Sequence, residues 1–135
     1  MLVIVALIVP ITQAKWNRVH NCEYSMANAV TDPSNSSLYS GFLNFNRNAE
    51  KPARESGDVT MMCYVISGTL EVTIHETTFV ADRGCSFCIP KGNSYRFLNI
   101  GSGEAKIFFV NDRSAAKKKK TKASKENEEE MKVDE

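Results

Sequence analysis

The sequence predicts an all-β domain, a sandwich or barrel of short strands. Three observations carry that prediction. Runs rich in β-branched and aromatic residues recur from Leu38 to Val110. Gly and Pro punctuate them at short intervals, and no helical period is found before residue 114.

The elements follow in order. Residues 15–37 are mixed, and Asp32-Pro33-Ser34-Asn35-Ser36-Ser37 is a loop. "LYSGFLNF" (38–45) places β-formers around a glycine, and "NRNAEKPARESGD" (46–58) reads as a polar connection. "VTMMCYVIS" (59–67) is a strand ended by Gly68. "TLEVTIHETTFV" (69–80) alternates, with Leu70, Val72 and Ile74 on one face and Glu71, Thr73 and His75 on the other. Asp82-Arg83-Gly84 turns the chain, "CSFCI" is a short strand, and Pro90-Lys91-Gly92 ends it. "YRFLNI" and "AKIFFV" are the last strands, joined through Gly101-Ser102-Gly103.

At 135 residues there is room for one domain and a tail. The division expected is an N-terminal segment of uncertain status (1–21), a β-domain (22–113) and a disordered tail (114–135). Residues 1–113 carry ten Lys/Arg against ten Asp/Glu, which argues against a broad basic face for nucleic acid. The tail holds seven Lys and six acids in blocks and too little apolar surface to offset its chain entropy. At the other end, Leu2–Val9 followed by Pro10 and Ala14 has the look of a signal-peptide core, without a preceding Lys or Arg. The run is too short to span a bilayer, so no membrane partner is expected. The competing readings are an edge strand or an odd start to the chain. Asn35-Ser36-Ser37 is a glycosylation sequon, of consequence only for a secreted protein.

Strand 59–67 breaks the rule that a half-buried strand alternates. Met61, Met62, Cys63, Tyr64, Val65 and Ile66 are apolar on both faces, so both faces need cover. Either residues 1–45 or a second molecule supplies it.

From Gly84 the spacing is Gly84, five residues, Pro90, one residue, Gly92, two residues, Tyr95, three residues, Asn99. This resembles the second signature of the cupin superfamily, G-x5-P-x-G-x2-H-x3-N, with Tyr95 where a metal-binding cupin has His. A cupin-type jelly-roll barrel is implied, the glycines permitting sharp corners and Pro90 ending a strand. The first signature has a Glu seven residues before a Gly. Taking that Gly as Gly68 puts Met61 at the Glu, and the two His fall among Arg54, Glu55, Ser56 and Gly57. All four ligands are missing, so no metal and no cofactor are expected.

The C-x-x-C of Cys85 and Cys88 has no second such pair among Cys22 and Cys63, and His20 and His75 stand alone. Buried structural thiols are the expectation, His75 is expected on a solvent-side register, and no catalytic constellation is found.

Five phrases narrow the resemblance further. The turn Tyr64-Val65-Ile66-Ser67-Gly68, the hairpin Val72-Thr73-Ile74-His75-Glu76-Thr77, the corner Pro90-Lys91-Gly92-Asn93-Ser94-Tyr95, and the ending Asn99-Ile100-Gly101 and Phe108-Phe109 are similar to the C-terminal domain of the centromere protein C (CENP-C) family of fungi. The likeness covers about residues 38–111, weakly back to about 22. It implies a non-catalytic homodimerisation module of a kinetochore scaffold on centromeric chromatin, in the nucleus. Kinetochore proteins and a second copy of the chain are the implied partners. If Met61, Cys63 and Val65 face the barrel, Met62, Tyr64 and Ile66 are free to meet a second protomer. The family's Arg-rich nucleosome-binding motif is absent, since Trp16 stands alone with Lys15 and Arg18, so the chain reads as a short relative or a fragment.

Lys117, Lys118, Lys119, Lys120 and Lys122 form a nuclear-import-like patch. At most they make weak, sequence-independent contacts with DNA phosphates; the competing reading is a solvated tail whose charges cancel. Two alternatives stand beside the dimerisation reading: a secreted germin-like cupin, and a small-ligand-binding cupin with Tyr95 and Met61 lining its cavity. Metal analysis separates the first and a ligand screen the second.

Overall fold

The computed structural model describes residues 7–113. A 3-10 turn at Ile11–Gln13 precedes ten strands: β1 (Asn17–Arg18), β2 (Tyr24–Asn28), β3 (Leu38–Phe45), β4 (Glu50–Glu55), β5 (Thr60–Ser67), β6 (Thr69–Ile74), β7 (Thr77–Asp82), β8 (Ser86–Ile89), β9 (Ser94–Asn99) and β10 (Ala105–Asp112). They form a six-stranded sheet, β1-β2-β3-β10-β5-β8, and a four-stranded sheet, β4-β9-β6-β7. Every pairing is antiparallel. The two sheets enclose the core of a jelly-roll barrel, all-β as the strand pattern predicts and of the cupin type that the resemblance of residues 84–99 implies.

Alternation decides what faces inward. On β5, Met61, Cys63 and Val65 are buried while Met62 and Tyr64 are exposed. From the facing sheet come Leu70, Val72, Ala81 and Phe97, each fully or almost fully buried. Phe97 packs edge-on against Phe45 and Phe87, with ring centroids 6.1 and 5.8 Å apart. Truncating a buried ring of this kind costs about 3–5 kcal/mol.

Gly68 makes the crossing from one sheet to the other. Its φ is +84°, and a Cβ there would stand 2.6 Å from the Ala105 Cα. Both the backbone conformation and the contact exclude a side chain.

Two strand assignments need correction. Residues 46–58 are not simply a polar connection, because β4 lies within them. Pro52 and four charged residues hide it. A Pro is tolerated because β4 is the edge of its sheet. Likewise 69–80 is not one alternating strand: β6 and β7 form a hairpin turning at His75 and Glu76. His75 has φ +56°, and its N–H donates to the Ser94 carbonyl at 2.7 Å. It belongs to the turn, not to a solvent-side strand register.

The segment 7–21 packs on the domain. β1 pairs with β2, and Ile11, Ala14 and Trp16 lie against Ala27, Ala29 and Phe42 on the outer face of the six-stranded sheet. Among the described residues no helix is long and apolar enough to cross a membrane. Residues 1–6 and the tail, 114–135, lie outside the described residues. So do most of the signal-like run and all five lysines of the import-like patch.

Candidate functional site

Residues 84–99 form a barrel corner. Gly84 has φ +89° and donates its N–H to the Val65 carbonyl at 2.8 Å. Pro90 follows β8. Its carbonyl accepts from the Ser56 hydroxyl at 3.2 Å and from the Asn93 amide at 3.1 Å. Gly92, φ +80°, donates to the Gly57 carbonyl at 2.8 Å. Asn99 is 1% exposed. Its side-chain NH₂ donates toward the carbonyls of Phe45, Asn46 and Gly103, and its amide oxygen accepts from the Gly101 N–H. A buried amide with all its groups engaged ties three segments together.

Tyr95 points inward from β9, 8% exposed. With Met61, Arg54, Glu55 and Ser56 it lines a cavity of about 300 Å³. The fold thus brings together the positions at which the cupin signatures would place metal ligands. The donors there do not suit a metal. Among the described residues no group of three or more His, Cys, Asp or Glu could hold one. A cation already occupies the space, since the Lys51 ammonium sits 5.0 Å from the Tyr95 ring centre and 5.6 Å from that of Tyr24. No step through a metal follows from these residues.

Burial sets the protonation of these groups. It lowers the affinity of Lys51 for its proton, with the Arg54 charge adding to the effect. It raises the hydroxyl pKa of Tyr95 and of Tyr24, and pushes the Cys63 thiol far up. Sequence reasoning missed Lys51 because Pro52 hid its strand.

Cys85 and Cys88 are exposed, which corrects the expectation of buried thiols; Cys63 alone of the four is buried. β8 is an edge strand, so Cys88 lies on its outer side opposite Met62.

The outer face of the six-stranded sheet is the second feature. In register across it run Ser40, Val110, Met62 and Cys88, and beside them Phe42, Phe108, Tyr64 and Ser86. Met62 is 53% and Tyr64 47% exposed. Beyond Val110 the apolar surface continues through a groove lined in part by Leu7, Val30 and Leu38. Ile66 is placed differently. The β5–β10 register shifts between Lys106 and Ile107, passing over Ile66, which packs with Trp16 and Phe108 against the Phe42 cluster. The cover expected on the outer face of strand 59–67 is therefore divided: part comes from residues 11–16, and Met62 and Tyr64 stay open.

A two-sheet jelly roll with this corner is a cupin-type domain. The family profile described as "Mif2/CENP-C like" matches residues 27–111. The chain belongs to the Mif2/CENP-C-like family. It is 31% identical over 74 residues to the inner kinetochore subunit cnp3 of Schizosaccharomyces pombe, covering 55% of this chain and 12% of that protein. It is 45% identical over 47 residues to the inner kinetochore subunit MIF2 of Saccharomyces cerevisiae, covering 35% of this chain and 9% of that protein. The alignments thus span about a tenth of these relatives' length. The fold matches the Cnp3 cupin domain of Schizosaccharomyces pombe with a TM-score of 0.72 at 23% identity, over 82% of this chain and 76% of that one. A predicted oxalate decarboxylase from Thermotoga maritima matches equally well, TM-score 0.72 at 12% identity over 78% and 98%. The same barrel therefore occurs in proteins described as enzymes and as kinetochore components.

Proposed function

We propose that this domain is a non-catalytic homodimerisation module of a CENP-C-like protein, supporting kinetochore assembly on centromeric chromatin in the nucleus. The observation that carries the reading is the open apolar row at Met62 and Tyr64, on the strand next to the centre of the larger sheet. A contiguous apolar patch of this kind costs solubility unless something covers it. A two-fold axis through the patch would use each side chain twice. Pairing two chains raises the effective concentration of whatever binding segments they carry. Membership of the family, and the kinetochore names of its relatives, support that setting. The secreted germin-like alternative is opposed by the Lys51, Met61 and Tyr95 interior, which offers no ligand set.

Sedimentation equilibrium of the chain over a wide concentration range tests the pairing. The expected result is a dimer that persists on dilution. The double change Met62→Glu and Tyr64→Glu should raise its dissociation constant about 100-fold or more, about 2.7 kcal/mol, with the strands retained by circular dichroism. A monomeric wild type, or an undisturbed dimer in the variant, would sink the proposal. Ile66→Glu should instead disturb folding, because Ile66 packs within the chain.

For the tail, we propose weak, sequence-independent contacts of Lys117, Lys118, Lys119, Lys120 and Lys122 with DNA phosphates. Retention of duplex DNA should fall steeply with salt and vanish on deleting residues 114–135. Salt-independent retention, or retention by the truncated chain, would rule this out.

A further inference from the structure

We propose that the barrel cavity is a binding site for a small organic carboxylate, held by the ammonium of Lys51 and the guanidinium of Arg54. Lys51 is 7% exposed, yet among the described residues no carboxylate pairs with it. Its ammonium lies over the rings of Tyr24 and Tyr95. Buried charges in proteins are normally paired, because removing an ion from water costs several kcal/mol. Two aromatic faces recover part of that cost, and Lys51 lines the cavity, where a ligand can reach its ammonium.

The backbone explains why two cations meet here. Lys51 pairs with Phe97 and Arg54 with Tyr95, so β4 carries one residue more than β9 over this stretch. Regular alternation would put positions 51 and 53 on one face. The bulge at Pro52 and Ala53 puts 51 and 54 there instead. Arg113 also lines the cavity, and Glu55 is the one carboxylate that does. Three cations against one anion leave the lining with a charge of +2.

Two further features favour an organic carboxylate over a bare inorganic anion. The walls include Leu43, Met61 and Phe109, which suit a carbon skeleton. Asn111, also in the lining, has a buried amide oxygen without a partner. A ligand hydroxyl would satisfy it, and a buried acceptor left without a donor is destabilising. A hydroxylated dicarboxylate such as malate meets all of these: two charges, a short carbon chain and a donor.

The test uses the full chain with ¹³C-methyl methionine and sodium malate, with sodium chloride at matched ionic strength as control. Met61 and Met26 line the cavity, and Met62 lies on the outer face. The Met61 and Met26 methyl signals should move saturably, with a dissociation constant on the order of 1 mM or tighter, while Met62 stays still. Lys51→Leu should abolish the response, and Arg54→Gln, at an exposed position, should weaken it about tenfold. The Arg54 variant keeps the test decisive if Lys51→Leu does not fold. The same shifts in chloride, movement of Met62 alone, or full binding by Arg54→Gln would overturn the proposal. Saturable binding of inorganic phosphate without malate binding would overturn the carboxylate assignment.

Discussion

Met61 and Met62 are adjacent, chemically identical and placed in opposite surroundings. Met61 faces a core in which Val65, Leu70, Val72 and Phe97 are sealed from solvent, and Met62 stands half exposed on the outer sheet face. The inner face holds the barrel together, and the outer face is the surface we assign to pairing. Residue type does not separate them, since each face of β5 carries an unbroken apolar row. What separates them is the cover each face meets: the four-stranded sheet within, and residues 11–16 over only part of the outside.

The sharpest break in this comparison is one change made at neighbouring positions. Val65 is fully buried, so Val65→Asp places an unpaired charge in the barrel and should cost at least 3–5 kcal/mol, leaving little folded protein in thermal melts. Tyr64→Asp, one residue away, should leave the monomer fold intact and act on association. Equal thermal damage from both would show that the outer face is also structural.

A smaller and pH-dependent effect separates the faces by titration. Burial holds the Cys63 thiol protonated well above its ordinary 9.0, so the folded chain keeps a proton that the unfolded chain releases. Its stabilising contribution is complete below pH 9.0 and declines by about 1.4 kcal/mol per pH unit above it. Tyr95 acts in the same direction above 10.0. Lys51 acts oppositely: its lowered proton affinity is a burden that lifts as pH rises toward 10.5. Urea unfolding across this range should show a steeper alkaline loss in wild type than in Cys63→Ala. Equal slopes would mean that the thiol is not sealed from water.

Much of the fold was legible from local chemistry. The strands around Leu43, Val65, Phe97 and Phe109 announce themselves by β-forming side chains, and the corner from Gly84 to Asn99 by residues that turns require. β4 was not legible, because Pro52 and its charged neighbours describe a connection to any rule that considers one segment alone. Alternation alone passed over the hairpin turn at His75, which only the family resemblance at Val72 to Thr77 implied. Nothing glycine-like marks it, and its positive φ is held by the strands on either side.

The candidate sites divide along the same line. That Met62 and Tyr64 share a face follows from a period of two, and that Met61 and Tyr95 stand where the cupin signatures have Glu and His follows from residue identity. Neither could reveal that Ile66 sits beyond a register shift under the Trp16 cluster, or that Cys85 and Cys88 flank an exposed edge. The juxtaposition of Lys51 and Arg54 with Tyr24 and Tyr95 joins residues from strands on two sheets. By itself, then, the sequence determined the strand chemistry, the corner and the family. The tertiary structure decided which apolar face is closed, which strand forms despite its composition, and where the buried cation lies. Turns and alternation depend on neighbouring residues, whereas register, bulges and cover depend on which distant strands the barrel brings together.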